Sequence, residues 1–589
     1  MAMCRILRKY GIFISNFQSS FLQENIFCRR MHIMQKSIAS ANFSFFWNRV
    51  ICSLNNTSLD HNTFGSKYSR DSRRRCSTEV KSDVKEKEID MEFTFQNELH
   101  LRQRQAQHSV LIELPSKADA LPACALCQDF GDIEKVFSYS GESNNVFLLI
   151  EFSKKEAVDR LLSSCQCSNI LDAFPVFSRL IQYKRKNKHE LQKLDVNIIE
   201  DAKPEASQSN LGTISELIES IYLTEKLSEL NTRLRYFFCL LLKDSVSGVF
   251  PYCEVLPFGS SVNGVGKHGC DLDVIIRLYP KKIDSEKELL FLSKTCVGDT
   301  RALQQRAIFC LGDYIRTFLP GVSSLQKIIH ARVPIMKLKH KILKMDCDVS
   351  INNMSAVLMS ELIYFCGEVD HRVRPLIYAV KKWAKEANIT SESPGTWITN
   401  FGLSMLVLFF LQNRPLPVLP AFNDAVQIID EESSTQLKVL YKQSLSDLRN
   451  KASLNKETLA VLLQEFLTFV GTYPFNENHI SLLTGSALPR NDGSPLWIQY
   501  PVEEDLNVTK NVSHHEMWDL CEKAFASSKY LASNMNYQVN KTRDFASLLG
   551  IPNIKRLDFK KSPKLDVGLL MNDSHSKNVK KKPVKKRAF

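Results

Sequence analysis

Hydrophobic and polar positions recur with two different periods along this chain, and the changes of period divide it into parts. Between residues 109 and 183, apolar runs switch between the two-residue period of strands and the 3.6-residue period of helices, which predicts the order βαββαβ. That order is the split arrangement used by RNA-recognition modules. One strand offers Phe147 and Phe152 for base stacking but lacks a Gly-Phe signature. RNA binding and a role in packing or dimerisation therefore both remain open.

The next part of the chain, over 213–362, mixes strands with helices. Two amphipathic helices come first, and apolar strands follow around Val255 and Ile275. A helix over 302–318 leads into a hairpin whose strands are predicted over 328–338 and 343–351. This order predicts a mixed sheet covered by helices.

The pattern after residue 362 is mainly helical. A basic amphipathic helix over 373–387 precedes a strongly apolar one over 400–412, which is too short to cross a bilayer and is predicted to be a buried core helix. The segment over 415–438 is predicted to be irregular, and a further helix is predicted over 459–471. The fold class predicted for the whole chain is α+β.

These changes of pattern predict seven segments. They are a mitochondrial transit peptide over 1–59, a charged linker over 60–105, a module like an RNA-recognition module (RRM-like) over 106–185, a linker over 186–212, a mixed α/β domain over 213–362 whose first helices are expected to pack on the next domain, a helical domain over 363–535, and a polar tail with a basic end over 536–589.

Charge is concentrated at the two ends of the chain. Residues 1–59 carry seven Lys or Arg against one acid, and residues 577–589 carry seven and no acid, which accounts for the whole net charge of +13. The basic, Ser-rich leader indicates import into the mitochondrial matrix. The terminal Lys/Arg cluster resembles a nuclear localisation signal, and the nucleus is the lesser alternative.

The cysteines indicate a reducing compartment, because most of the 16 are scattered singly. Two pairs, Cys124-x-x-Cys127 and Cys165-x-Cys167, raise the possibility of zinc. Their separation is unlike that of a compact zinc ribbon, so buried free thiols are favoured.

The chemistry is concentrated around Gly259-Ser260 and the pair Asp271 and Asp273. A Gly-Ser step after a strand offers backbone N–H groups and a hydroxyl to phosphate. Because strand side chains alternate, an Asp-x-Asp directs both carboxylates to one face, where they can bridge two divalent ions. A third acid would complete such a site, and strand periodicity allows either Asp346 or Asp348.

Together these residues resemble the DNA-polymerase-β-like nucleotidyltransferase superfamily. The similarity extends to mitochondrial poly(A) polymerases, which belong to the poly(A)/poly(U) polymerase branch of this superfamily. It is carried by the stretches FGSSVNGVGKHGCDLD, CDVSINN, VKKWAK and GTWITNFGLSMLVLFFLQ. The resemblance implies a nucleotidyltransferase palm facing a helical central, PAP-associated domain. It also implies that Asp271, Asp273 and Asp348 are both the catalytic acids and the ligands of two Mg²⁺ or Mn²⁺ ions.

The resemblance also implies an ATP site shared between the two domains. Its implied members are Phe258, Gly259, Ser260, Lys381, Lys385, Thr399, Asn400 and Phe401. Lys381 and Lys385 lie four residues apart on one predicted helix face, which suits contact with a triphosphate. Phe401 stands where relatives stack the base, usually on Tyr.

Base choice depends on the residue before Asn507-Val508. Uridylyl-transferring relatives typically carry His there, and this chain has Leu506. Because an apolar side chain cannot make the polar contact that favours uracil, ATP is the expected substrate, although His514 and His515 lie nearby in sequence.

The expected function is therefore template-independent addition of AMP to the 3′ ends of mitochondrial RNAs, with release of pyrophosphate. The expected partners are RNA 3′ ends and ATP, with homodimerisation through the RRM-like module and no membrane. Two alternatives remain: a terminal uridylyltransferase, and a catalytically inactive RNA-binding or assembly protein.

Overall fold

The computed structural model of the chain describes most residues between 95 and 554. The described ranges are 95–141, 145–167, 176–184, 197–200, 212–278, 292, 299–393, 395–431, 436–489, 492–535 and 545–554. The predicted transit peptide and the basic C-terminal end lie outside them. Within them, no helix is both long enough and apolar enough to cross a membrane.

The N-terminal module contains three helices and five strands. They are α1 (Phe95–Gln107), β1 (Ser109–Leu114), α2 (Ala120–Gln128), β2 (Ile133–Ser140), β3 (Val146–Phe152), α3 (Lys155–Ser164), β4 (Leu180–Gln182) and β5 (Ile198–Glu200). The sheet order is β4-β1-β3-β2-β5. The predicted βαββαβ order is present in the first four strands and in helices α2 and α3.

Two predicted linkers need correction at their edges. Helix α1 begins at Phe95, inside the predicted linker 60–105, because Phe95 and Leu99 pack against Tyr236 of the palm. Strand β5 lies inside the predicted linker 186–212, where Ile198 pairs with Val136 on the edge of the sheet.

The module is fixed to the rest of the chain through the sheet face that RNA-recognition modules use for base stacking. Phe137 and Phe147 on that face are 3% and 5% exposed and belong to the same core as Phe237. Phe152 is buried on the opposite face, beneath helices α2 and α3. Neither candidate aromatic is available to stack a base, so the module packs against the palm through this face.

The palm follows with three helices and five strands. They are α4 (Ile214–Glu225), α5 (Glu229–Ser247), β6 (Cys253–Phe258), β7 (Leu272–Leu278), α6 (Thr300–Phe318), β8 (Val322–Ile328), β9 (Ile335–His340) and β10 (Met345–Ile351). The sheet order is β6-β7-β10-β9-β8, with β7 and β10 parallel and the other neighbours antiparallel.

The palm differs from the sequence-based prediction in one respect. The run predicted as a single strand over 328–338 holds only the last residue of β8, followed by the connection over 329–334 and the first part of β9. Pro334, which cannot donate a ladder hydrogen bond, ends this connection. The palm sheet therefore has one more strand than predicted.

Alternation along the palm strands determines what each sheet face carries. Cys347, Val349 and Ile351 of β10 are buried with Phe237 and Ile308 under α5 and α6. The residues between them, including Asp348, are directed to the opposite face. The helices thus cover one face, and the acids occupy the other.

The helical domain begins with α7 (Met354–Val369), which crosses the predicted boundary at 362. The other helices are α8 (Val373–Glu386), α9 (Asn400–Gln412), α10 (Phe422–Ala425), α11 (Leu445–Ala452), α12 (Leu459–Thr472), α13 (His514–Asn534), α14 (Phe545–Leu548) and α15 (Ile551–Ile554). Two hairpins, β11–β12 (Val426–Glu431, Gln436–Tyr441) and β13–β14 (Asn478–Ser481, Ser486–Pro489), accompany them. The first hairpin corrects the prediction of an irregular segment over 415–438.

Helix α4 belongs to the helical domain in packing although it precedes the palm sheet in sequence. Ile214 and Ile218 are buried in the same core as Trp383 and Phe466. The expectation that the first helices of 213–362 would pack on the helical domain therefore holds for α4 alone. Helix α5, in contrast, packs on the palm sheet.

Cys124 and Cys127 are buried in the core of the module, and burial raises the pKa of the Cys124 thiol to about 11. Among the described residues, no group of three or more His, Cys, Asp or Glu side chains is already arranged to hold a metal ion. Cys165 and Cys167, in contrast, are exposed, so the expectation of buried thiols holds for the first pair and not for the second.

Candidate active site

The acids predicted from the sequence meet where β7 and β10 run side by side. Asp273 of β7 is paired in register with Asp348 of β10 and, on its other side, with Phe258 of β6. Asp271 lies just before β7, and its side chain is 53% exposed. Asp346 is exposed two residues before Asp348 in β10, opposite Lys339. The register thus places Asp348, rather than Asp346, beside Asp273.

Burial and crowding perturb the acids. Burial, followed by the neighbouring carboxylates of Asp348 and Asp271, raises the pKa of Asp273 to about 7. Burial also raises the pKa of Asp348, although Lys337 opposes this effect. Asp273 is therefore mostly protonated below about pH 7 and mostly ionised above it.

Gly259 allows the turn after β6 to lie close to these acids. Its φ of +68° is a left-handed conformation that favours glycine, and a Cβ atom there would lie 2.7 Å from Asp273 Oδ2. Its backbone N–H donates to Ser360 Oγ of α7 at 2.7 Å. The turn is thus held between the acids and the helical domain, with Ser260 half-buried beside Cys270.

The acid cluster suits a hard divalent cation. The ammonium of Lys337 on β9 lies 3.3 Å from Asp348 Oδ1 and 3.7 Å from Asp271 Oδ2. Despite its partial burial, these acids raise the pKa of Lys337. Carboxylate oxygens are the ligands that Mg²⁺ and Mn²⁺ prefer, and the cluster already attracts a positive charge. The chemistry of these donors therefore fits such ions, although the three carboxylates do not form a preassembled ligand set.

Arg235 of α5 is a further residue of the site, and sequence inspection alone misses it. Its guanidinium is 2% exposed and donates to Ser261 Oγ at 3.0 Å, to the Asp271 carbonyl at 3.2 Å and to the Cys270 carbonyl at 2.6 Å. It joins the Gly-Ser turn to the segment that carries Asp271. No local motif signals it, because all its partners come from residues distant in sequence.

Lysines from the helical domain and from the palm loop lie close together near Cys270. Burial lowers the pKa of Lys381 to about 8, and Lys267 of the palm loop contributes in the same direction. The pKa of Lys267 is itself lowered by burial and then by Lys385. Lys385 also pairs with Glu392 at 3.0 Å. The structure thus brings both predicted lysines together and adds Lys267, which carried no recognisable motif.

The predicted base-binding residues open helix α9. The hydroxyl of Thr399 caps the helix by accepting the Gly402 N–H at 3.1 Å, and Asn400 is exposed beside it. The ring of Phe401 lies edge-to-face with Tyr500, at 6.2 Å between centroids. Tyr500 in turn donates its backbone N–H to the Leu506 carbonyl at 2.9 Å. Leu506 is therefore close to the ring on which a base would stack.

Comparison with known families matches two parts of the chain. Residues 214–368 match the model described as the central palm domain of mitochondrial-like poly(A) RNA polymerase, and residues 94–166 match the RL domain. The first range holds the Gly-Ser turn and all three acids, and the second holds helix α1 with most of the N-terminal module.

Similar whole proteins and solved structures agree with the family models. The human mitochondrial poly(A) RNA polymerase is 34% identical over 80% of this chain and 84% of its own length, and the Drosophila melanogaster protein is 31% identical over 72% of each. The crystal structure of mtPAP in complex with ATPγS superposes with a TM-score of 0.67 at 30% identity, covering 79% of this chain and 99% of that one. A UTP complex of mtPAP matches equally well.

Proposed function

Because the chain belongs to the mitochondrial poly(A) RNA polymerase family, we propose that it adds AMP from ATP to the 3′ ends of mitochondrial RNAs without a template. Family membership makes the chain a nucleotidyltransferase, and it weighs against a catalytically inactive assembly protein. The observation that carries the proposal is the register of Asp273 with Asp348 beside the Gly259 turn.

In the proposed reaction, the three acids form the ligand set for two divalent ions. Asp271, Asp273 and Asp348 would hold the ions, with Asp348 on the side of the attacking 3′ hydroxyl. When bound, such ions supply charge neutralisation and activate the hydroxyl in an in-line displacement. Asp273, with its raised pKa, must lose its proton before it can serve as a ligand.

The triphosphate is proposed to lie between the palm turn and helix α8. Ser260 and the backbone N–H groups of its turn would contact phosphate from the palm, and Lys381 and Lys385 from the helical domain. Burial, followed by the neighbouring lysines, lowers the pKa of Lys381 and of Lys267, and an anion bound between such ammonium groups would stabilise their charge, which supports this placement.

The base is proposed to stack on Phe401, with Thr399 and Asn400 beside the ribose. The partly buried Leu506 next to Tyr500 gives uracil no polar partner, which supports adenine. The mtPAP structures include complexes with ATPγS and with UTP, so nucleotide binding alone does not separate the two bases. A uridylyltransferase remains an outcome of the test below.

We further propose a mitochondrial location and a homodimer formed through the N-terminal module. The similar proteins are mitochondrial, and the leader has the composition of a transit peptide. The module's sheet face is buried against the palm, so a dimer contact would use its other surfaces. Helix α2 presents Leu121 and Leu126, which are 44% and 49% exposed.

Single-nucleotide extension assays test the proposal. The full chain is incubated with a 3′-hydroxyl RNA oligonucleotide, Mg²⁺ or Mn²⁺, and one nucleoside triphosphate at a time. We expect long products with ATP and short or no products with UTP, CTP and GTP. Preferential UTP incorporation would replace adenylyl transfer with uridylyl transfer, and no incorporation with any nucleotide would overturn the enzymatic assignment.

A further inference from the structure

The palm sheet has an open face beyond the acids. Helices α5 and α6 cover one face of β10, β9 and β8, where Met336 and Leu338 are buried. On the other face, the side chains of Lys337 and Lys339 are exposed, as are those of Gln326 and Ser324 on the edge strand β8. This face is polar and continuous with the acid cluster.

Strand register orders these side chains into two rows. The first row runs from Asp348 to Lys337 to Gln326, and the second runs from Asp346 to Lys339 to Ser324. Each row crosses β10, β9 and β8 at right angles to the strands, so both rows lead from the acids to the free edge of the sheet. We name these six residues the open strip.

In-line displacement determines the side from which the acceptor must enter. The nucleophile and the leaving pyrophosphate lie on opposite sides of the reacting phosphorus. The turn proposed to bind the triphosphate follows β6, on one side of the acids in the sheet order β6-β7-β10-β9-β8. The opposite side, next to Asp348, consists of β9 and β8. The acceptor therefore approaches Asp348 over the open strip.

We propose that the open strip binds the last nucleotides of single-stranded RNA, with Lys337 and Lys339 contacting the phosphates that precede the 3′ hydroxyl. This inference rests on the proposed function and adds the acceptor site to it. Lysines two apart on a strand present their ammonium groups to one face, which suits successive phosphates. Gln326 and Ser324 add neutral hydrogen-bonding groups at the edge.

The open strip also includes an acidic residue, whose removal should have the opposite effect on RNA binding from removal of a lysine. Asp346 lies opposite Lys339 and would face the same phosphates, so its charge opposes RNA binding. Neutralising Lys339 and neutralising Asp346 must then change RNA affinity in opposite directions. A purely structural role for this pair predicts no such opposition, because both changes would break the same cross-strand contact.

Fluorescence anisotropy with a 5′-labelled oligoadenylate, in the absence of ATP, tests the proposal in the full chain. We expect Lys339→Gln to weaken binding about three- to tenfold near 0.1 M salt and to reduce the salt slope by about 0.7. We expect Asp346→Asn to tighten binding. Lys155→Gln, at an exposed position on α3, removes the same charge outside the strip and serves as the matched control.

The outcomes separate this proposal from the proposed function. If Lys339→Gln and Lys155→Gln change the affinity and salt slope equally, the strip is not the acceptor site, even though the wild type extends RNA. If the wild type neither binds nor extends RNA, the proposed function fails as well. ATP affinity, measured in parallel, must remain unchanged in Lys339→Gln, because the strip lies on the acceptor side of the acids.

Discussion

Asp273 and Asp348 occupy paired positions on the parallel strands β7 and β10. The pairing holds two carboxylates on one sheet face although they lie far apart in sequence. Asp273 also lies under Gly259, whose missing side chain lets the turn approach the carboxylate. The Gly-Ser turn and the acid pair are therefore one structural unit.

Metal binding without nucleotide should strengthen as the pH rises. Burial, together with Asp348 and Asp271, raises the pKa of Asp273 to about 7, so below that pH a metal must displace its proton. We expect Mn²⁺ affinity to increase up to about tenfold per pH unit below pH 7 and to level off above it. Electron paramagnetic resonance of free Mn²⁺ measures this directly. A pH-independent affinity would contradict the assignment of Asp273 as a ligand.

The same pKa predicts an effect on the stability of the metal-free protein. The folded state binds the Asp273 proton more tightly than the unfolded state, so the stabilisation is present at low pH and is lost as the pH rises through about 7. Asp273→Asn, which cannot ionise, should therefore gain stability over the wild type by roughly 1–3 kcal/mol between about pH 5.5 and pH 8. Urea unfolding at the two pH values measures the difference. A constant difference would refute the raised pKa.

Lys381→Met should impair ATP use more than any change in its neighbour Lys382. Loss of a buried charged contact with phosphate is expected to raise the KM for ATP about tenfold or more. Lys382 pairs instead with Glu225 at 3.0 Å and Glu386 at 3.2 Å, which makes Lys382→Met the matched control on the same helix. Steady-state extension assays at varied ATP concentration give both values. Equal KM values for the two variants would remove Lys381 from the triphosphate site.

Leu506→His should shift base choice toward UTP. The new imidazole would lie near Tyr500 and Phe401 and could offer uracil a polar partner. We expect the ratio of UTP to ATP incorporation to rise about tenfold or more, while metal affinity stays the same. Competition between the two labelled nucleotides measures the ratio, and Leu506→Met controls for altered packing. An unchanged ratio in Leu506→His would show that this residue does not read the base.

Arg235→Met should weaken metal binding although Arg235 touches no proposed ligand side chain. Its guanidinium holds the Asp271 and Cys270 carbonyls, and loss of such outer contacts typically lowers metal affinity about 10- to 100-fold. Arg235→Lys keeps the charge and should restore part of the affinity. Thermal unfolding of both variants confirms that the measured molecules are folded. If both variants bind Mn²⁺ as the wild type does, Arg235 is not a positioning residue.

The parts of the candidate site that consist of residues close together in sequence were predictable from the sequence. The Gly-Ser step and Asp271-x-Asp273 each sit within a few residues of a strand, so alternation alone places them. The choice between Asp346 and Asp348 was not predictable in this way, because both share a face. The register of β10 with β7, a contact between distant segments, decides which acid lies beside Asp273.

Other features depend wholly on tertiary packing. Arg235 and Lys267 have no local signature, because their partners lie on other elements. The burial of the module's sheet face against the palm could likewise not be predicted from the sequence. One signal was nevertheless available: Phe147 and Phe152 are an odd number of residues apart, so in one strand they must point to opposite faces and cannot stack bases together.

The assignment of the paired acids Asp273 and Asp348 as the catalytic centre is tested most directly by comparing two variants, Asp348→Asn and Asp346→Asn. The measurement is the extension of a 3′-hydroxyl RNA by each variant with ATP and Mg²⁺. We expect Asp348→Asn to lose AMP incorporation by about a thousandfold or more, with the fold retained in circular dichroism, and Asp346→Asn to remain active. Incorporation by Asp348→Asn at the wild-type rate, or loss of activity confined to Asp346→Asn, would contradict the assignment of the paired acids Asp273 and Asp348 as the catalytic centre.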